Sequence, residues 1–413
     1  MSAPHVTIVG AGIVGLATAS VLVSRGCKVT IIDREGPAAG ASQGNAGGIA
    51  WTDVAPLASP GVWKDALKWL ADPLGPLTVR PAYALKILPW MLRFLAASSR
   101  SRVKESTEAL AALNAGALPA WERVWRLTGT HNQVHYDGCL EIFDNGSKLE
   151  TYRSTWAEQR DYGIDVRELT GDELRELEPD LSPSILGGAL LPGWAHMDDP
   201  KKLCLSIADW LAAQGVTFEV ATVTGVAAGL DGAEITFADN TARRVEKLVI
   251  ACGAWSKKLT SQLGDPVPLD TERGYNITVP EPNVSVSHFF LLPGHGFAVS
   301  QLETGLRIGG AVEFGGLELP ENWKRVDAMI AKAKTIFPKL DASTGKRWMG
   351  FRPSLPDSLP VIGPSSASPH VVYGFGHAHH GLTEAATTGE LLAAILMNEA
   401  PSIDLAPFRA DRF

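Results

Sequence analysis

Three glycines and one acid carry the first chemistry in this chain. The opening stretch HVTIVGAGIVGLATASVLVSRGCKVTIID, residues 5–33, reads as a buried strand, a glycine-rich turn, a helix and a second strand ending on Asp33. Gly10 permits the tight turn, Gly12 lets a pyrophosphate approach bare backbone, and Gly15 lets the helix pack close to the sheet. Ile13 and Val14 sit in the same turn, where the helix offers free N–H groups and the positive end of its dipole to phosphates. Asp33 can bind ribose hydroxyls and would repel a 2′-phosphate. Arg34 beside it weakens that exclusion, because an arginine is how such folds accept a phosphorylated ribose. The motif therefore predicts a dinucleotide site.

Further along, REGPAAGASQGNAGGIA is too rich in small residues to be an ordinary helix. Its backbone amides at Ala46, Gly47 and Gly48, with Ser42 and Asn45 as side-chain partners, suit a second wall around the ligand; the alternative is a mobile surface linker. A second fingerprint, KLVIACGAWS at residues 247–256, returns the chain to the same sheet near Gly253 and Trp255. A second return, in WMGFRPSLPDSLPVIGPSSASPHVVYGFGHAHHGLTEAATTGELLAAIL, ends in a long helix. The start of that helix, Gly381 to Glu384, can aim its dipole at the part of a flavin ring that becomes negative on reduction. A simple nicotinamide enzyme would complete its nucleotide-binding halves in one run, whereas this chain leaves and returns twice.

The elements that must position these residues follow from pattern. Residues 51–129 are helical, rich in Trp, Leu and Ala, and broken by prolines. Within them LPWMLRFL, flanked by Lys86, Arg93, Arg100 and Arg102, reads as a core-facing helix, with a peripheral membrane contact as the alternative. GCLEIFDN is a strand, and Thr170 to Glu173 has capping-box spacing. Asp198 or Asp199 caps a helix that starts at Pro200. GYNITV, HGFAVSQ and GLRIGGAVEF alternate as antiparallel strands before a helix in NWKRVDAMIAKAKTIF. A chain of 413 residues exceeds the size at which one core stops growing, so two domains are expected.

The net charge of −8 argues against nucleic acid as a partner. Four cysteines far apart, with no CxxC pair, exclude a recognisable zinc or redox motif and suit a reducing compartment. With no signal-peptide pattern and no membrane-spanning run, the expected location is the cytoplasm, with the inner-membrane surface as a peripheral option.

Through SQGNAGG, DPLGPL, PLDTERGY, GAVEFGGL, WMGFRPSLPDSLPVIG, FGHAHHGLT and SIDLAPF, nearly the whole chain resembles the FAD-dependent D-amino-acid oxidase superfamily, and within it bacterial D-amino-acid dehydrogenases and glyphosate oxidoreductases. The resemblance implies non-covalent FAD and an α/β fold. A Rossmann-like, glutathione-reductase-like FAD-binding domain (1–50, 190–270 and 346–413) would be joined by an α+β substrate domain with an antiparallel sheet (51–189 and 271–345). It extends the expected cofactor contacts to Val223, Gly376, His377, His379, His380, Leu382 and Thr383. It implies oxidation of a D-amino acid, an N-substituted glycine or a cyclic secondary amino acid by hydride transfer from the α-carbon to flavin, giving an imine and then a 2-oxo acid. Oxygen or a quinone or other electron carrier would take the electrons.

By the same resemblance, Arg352 holds the substrate carboxylate, with a fork suited to two oxygens. Tyr275 is a candidate second partner for the carboxylate or amine, alongside the reading of a packed tyrosine, and Arg273 reads as structural. His377 lines the flavin turn as the first histidine of FGHxH does in glyphosate enzymes; His380 departs from their pattern. The histidine cluster lacks an acid or cysteine spaced to complete a metal site, so no metal is expected. The competing classes are a nicotinamide-dependent, opine-type dehydrogenase and a non-catalytic flavin-binding subunit.

Overall fold

The computed structural model describes residues 4–60 and 77–413. The DPLGPL stretch, residues 72–77, lies outside the described residues except for Leu77. β1 (His5–Val9) leads through the glycine turn into α1 (Ile13–Ser24) and β2 (Lys28–Asp33). α2 (Ala84–Ala97) follows, then β3 (Thr217–Val220), β4 (Lys247–Ile250), β5 (Asp270–Val279), β6 (Gly305–Phe314), β7 (Lys346–Ser354), β8 (Val361–Pro364), β9 (Val371–Phe375) and α3 (Gly381–Leu396).

One six-stranded sheet has the order β3-β2-β1-β4-β9-β8. Its pairs are parallel except β8 with β9. β1 is hydrogen-bonded on both sides, with Val9 opposite Ile32 and Ile250. It is buried from Val6 to Val9. α1 and α3 cover one face, where Leu16, Leu22, Leu391 and Leu392 share a core. On the other face a meander of Val223–Gly229, Gly232–Phe237 and Ala242–Val245 buries Ile235 and Phe237 with Ile32, Leu248 and Phe375. Separated pieces of chain thus meet in one sheet whose carboxyl edge is the ligand-binding edge of such folds.

The second layer is a nine-stranded mixed sheet. It contains β7, β5 and β6 as neighbours, then Phe297–Leu302, Phe289–Leu292, Cys139–Phe143, Gly187–Leu191 and Arg167–Thr170. The helix Lys324–Ile336 packs on it through Val326, Met329 and Ile336. Asp199 caps the helix from Pro200, accepting from the N–H groups of Lys201 at 2.8 Å and Lys202 at 3.1 Å. The Thr170–Glu173 capping box is formed.

Two expected domain boundaries shift. β7 pairs with β5 from Asp270↔Ser354 to Thr278↔Lys346, so residues 346–354 belong to the antiparallel layer rather than to the cofactor layer. The helices Arg100–Ala115 and Ala117–Thr128 place Leu110, Leu113, Trp121 and Trp125 in the core of α1 and α3, so they do not belong with the substrate sheet. Both corrections arise from pairing between distant segments, which local periodicity does not encode.

Candidate active site between the two sheets

A cavity of about 820 Å³ is lined by both sheets. At one end lie Gly10, Gly12, Ile13, Val14, Asp33, Arg34, Val223, Gly253 and Trp255. Gly15 is not part of the lining: a Cβ there would stand 2.0 Å from the Gly10 carbonyl oxygen, so this glycine lets α1 close onto the turn. Asp33 Oδ2 accepts from the Ala11 N–H at 2.8 Å, and its Oδ1 accepts from Glu35 and Gly36 at 2.9 and 3.0 Å. These bonds hold the carboxylate at the cavity rim. Arg34 lies over the Trp255 ring, Cζ 3.8 Å from the centroid, and pairs with Glu35 at 2.8 Å.

The glycine-rich loop 40–48 forms the next wall. Ser42 Oγ accepts from the Ile13 N–H at 2.9 Å, meeting one free donor at the start of α1. Asn45 braces its own turn, donating to Ser42 O and accepting from Gly47 N, both at 2.7 Å. What pins this loop from outside is the second sheet. Arg307 donates to Asn45 O at 2.7 Å and Gln43 O at 3.3 Å, Asn276 donates to Gly44 O at 2.7 Å, and Ser300 donates to Ala46 O at 2.7 Å. Sequence reasoning missed these three residues. The signal for Arg307 was a lone cation inside the strand pattern GLRIGG, which calls for buried acceptors.

At the far end β5 and β7 run side by side, with Glu272 opposite Arg352, Gly274 opposite Gly350 and Asn276 opposite Trp348. Arg352 lines the cavity. Its one side-chain hydrogen bond among the described residues goes to Ala311 O at 3.2 Å. A Cβ on Gly274 would lie 2.4 Å from the Arg352 Cζ, so the glycine in ERGY makes the bed for the guanidinium. Glu272 Oε1 accepts from the Ser354 hydroxyl at 2.6 Å, while its Oε2 is buried without a partner and lies 3.8 Å from His379 Nδ1. Burial raises the Glu272 carboxyl; it lowers the Arg352 guanidinium, which the Glu272 charge partly offsets.

The return into α3 is tightly built. His377 is buried, with Nε2 3.0 Å from Thr388 Oγ1, and burial pushes its imidazole down to about 3, keeping it neutral. Burial holds His379 well below the usual imidazole range, with His380 and Arg352 adding to the effect. His380 lies 3.7 Å from Asp53. His377, His379, His380, Gly381 and Leu382 all line the cavity. Among the described residues no group of three His, Cys, Asp or Glu side chains is arranged to hold a metal.

Two expected cofactor contacts, Thr383 and Gly376, lie off the cavity lining, and the Tyr275 hydroxyl is held by other partners. Tyr275 lines the cavity, but its side chain packs in the core of the second layer, where its hydroxyl donates to Glu313 Oε1 at 2.9 Å and accepts from Asn322 N at 3.0 Å. Gly274 and Asn276 on either side of it also line the cavity. Thr383 does not line the cavity; its hydroxyl accepts from Ala50 N at 2.9 Å and braces the strand beside it. Gly376 lies under Leu355, turning the chain out of β9 without reaching the lining. Arg273 is buried, donating to Gly316 O and Leu319 O at 2.7 Å each.

These residues fit FAD. The α1 turn and Asp33 suit the pyrophosphate and ribose, and the Arg34–Trp255 stack closes that end. Two atoms of cavity-lining residues, Asn276 Oδ1 and His380 Nδ1, are buried without a hydrogen-bond partner. Buried polar atoms ordinarily find partners, so a bound ligand is the natural source.

The family model for FAD-dependent oxidoreductases (DAO) matches residues 5–395. The chain is 35% identical to a D-amino-acid oxidase of Bradyrhizobium diazoefficiens, covering 99% of each. It is 28% identical to a D-amino acid dehydrogenase of Allorhizobium ampelinum, over 99% of this chain and 98% of that one. The fold is shared with glycine oxidase from Geobacillus kaustophilus, with a TM-score of 0.75 at 21% identity and 99% coverage of both chains. The match along almost the whole length, on a cavity built to hold a dinucleotide, settles the relationship: this chain belongs to the DAO family of FAD-dependent oxidoreductases and uses FAD as its cofactor.

Proposed function

We propose that the protein oxidises the carbon–nitrogen bond of an α-amino acid, with a D-amino acid, an N-substituted glycine or a cyclic secondary amino acid as substrate. The observation that carries this reading is the Arg352 guanidinium in the cavity wall, bedded on Gly274 and holding one backbone carbonyl. A planar fork with free donors in a partly desolvated wall is suited to a carboxylate. FAD supplies the hydride acceptor, and the resulting imine is hydrolysed to a 2-oxo acid.

The chain's own groups bind and orient. Arg352 anchors the carboxylate, so the α-carbon's position is fixed relative to the start of α3. Neutral His377 and His379 leave Arg352 as the dominant positive charge at that end. The α3 dipole adds partial positive charge there, where reduction of the ring develops a negative one. The names of the relatives, which include an iminodiacetate oxidase from Chelativorans among the solved structures, support amino acids with either primary or secondary nitrogen. Oxygen or a quinone serves as electron acceptor.

Anaerobic bleaching of the flavin by a panel of D- and L-amino acids, N-substituted glycines and their decarboxylated amines tests this. Bleaching by some amino acids and by none of the decarboxylated amines is expected. A flavin that bleaches equally with both, or with neither, overturns the reading. Turnover with a dye, compared with and without oxygen, identifies the acceptor.

A further inference from the structure

α2 carries apolar residues on two faces. Ile87 and Trp90 are buried, and Met91 and Phe94 partly so, against Leu77, Val79, Val312 and Phe314. On the other side Leu85, Leu88, Leu92 and Leu95 are 87%, 50%, 59% and 44% exposed. Their spacing of three, four and three residues puts them in one stripe along the helix. A soluble helix normally buries its apolar stripe, and a contiguous exposed apolar patch marks a partner.

Charge indicates which partner. From Leu74 to Lys104 the sequence has six Lys or Arg residues and no Asp or Glu, in a chain whose net charge is −8. Arg80 lies 3.6 Å from Glu313, buried in the second sheet. Lys86, Arg93 and Arg100 are exposed and make no ion pair among the described residues. Lys86 and Arg93, two turns apart, run along one edge of α2 between the leucine stripe and the buried face. With leucines at the acyl boundary, the long stems of these cations can reach lipid phosphates beside it. The acidic remainder of the molecule is repelled by an anionic surface, which leaves this helix as the point of approach.

We propose that the Leu85–Leu88–Leu92–Leu95 face of α2 docks the protein on the surface of an anionic lipid bilayer. The contact is interfacial, because among the described residues no helix is long and apolar enough to cross a membrane. The docking face lies one layer from the substrate wall: Trp90 Nε1 donates to Ser354 O at 3.4 Å, and the Ser354 hydroxyl donates to Glu272.

Flotation of the FAD-loaded protein with vesicles of phosphatidylcholine, with or without phosphatidylglycerol, tests the proposal. Binding is expected only where phosphatidylglycerol is present, weakening as salt rises. The double variant Leu88→Asp/Leu92→Asp should lose it while keeping the flavin spectrum and the dye-linked activity in solution. Lys86→Gln/Arg93→Gln should weaken it by about 25-fold, near five-fold per cation removed. Failure to bind phosphatidylglycerol vesicles at low salt overturns the proposal, as does binding that the leucine variants leave intact. Two other outcomes also overturn it. One is a dimer in sedimentation that Leu88→Asp/Leu92→Asp dissociates, which makes a second copy the occupant. The other is vesicle binding that appears only when residues 61–76 are deleted, which makes that segment the cover.

Discussion

Arg352 and Gly274 act as a unit, and each can be tested separately. Replacing Arg352 by Lys keeps the charge and loses the planar fork. A charge-assisted hydrogen bond contributes about 1.5–3 kcal/mol, so kcat/KM for the amino acid should fall about 10- to 150-fold while the flavin spectrum stays unchanged. Gly274→Ala brings a Cβ to 2.4 Å from the guanidinium carbon. That carbon ends a flexible side chain, so the protein should fold and bind FAD but show a raised KM, read by steady-state kinetics. Glu384 offers a different test. Both carboxylate oxygens are buried without partners, and burial, with Asp53 adding, holds its pKa well above the ordinary 4.5. The folded state therefore keeps a proton that the unfolded chain releases, so this residue's contribution to stability is complete below pH 4.5 and falls as pH rises. Glu384→Gln should melt higher than the parent at pH 8, and the difference should shrink toward pH 4.5. Equal melting curves across that range would show a partnered carboxylate.

Among the elements, the loop 40–48 depends most on its surroundings. Its amides and small side chains have little to pack with, and it is held by donors from the opposite sheet, Arg307 and Asn276. Arg307→Met fills similar volume but removes the bonds to Asn45 and Gln43, so FAD should dissociate more readily. Fluorescence of released flavin measures this. A FAD affinity equal to the parent's would mean that the turn 42–47 holds its own shape. The glycine turn after β1 is less forgiving. A Cβ on Gly15 meets a backbone oxygen at 2.0 Å, which cannot swing away. Gly15→Ala should give protein lacking flavin absorbance.

At the scale of the molecule, the cofactor cavity is where two sheets from interleaved stretches of chain meet. Arg307, Asn276 and Ser300 cross from the second layer to the loop of the first. A ligand that binds only this folded arrangement stabilises it by mass action, about 2.7 kcal/mol at a free concentration one hundred times its Kd. Removal of FAD should therefore lower the melting temperature, and adding FAD back should raise it in step with concentration. A melting temperature indifferent to FAD would separate the cavity from the cofactor.

The glycine turn, Asp33, the two later returns to the sheet and the long terminal helix were legible in the sequence. Each is local: a turn, a cap or a run of one periodicity is set by neighbours in the chain. The antiparallel strands of the second layer were visible for the same reason. The placement of β7 was not, because its partner β5 is distant in sequence and pairing is decided by sheet register. Register also set Gly274 against Arg352 at the cavity and gave the Tyr275 hydroxyl to Glu313 in the core. Which apolar residues of α2 pack inward was likewise hidden, since only the docking of Ile87 and Trp90 shows which leucines remain outside. Sequence by itself determined the strand, glycine turn and helix that open the cavity. Tertiary structure alone decided what stands opposite them, because side chains from distant strands acquire a common face only when the sheets form.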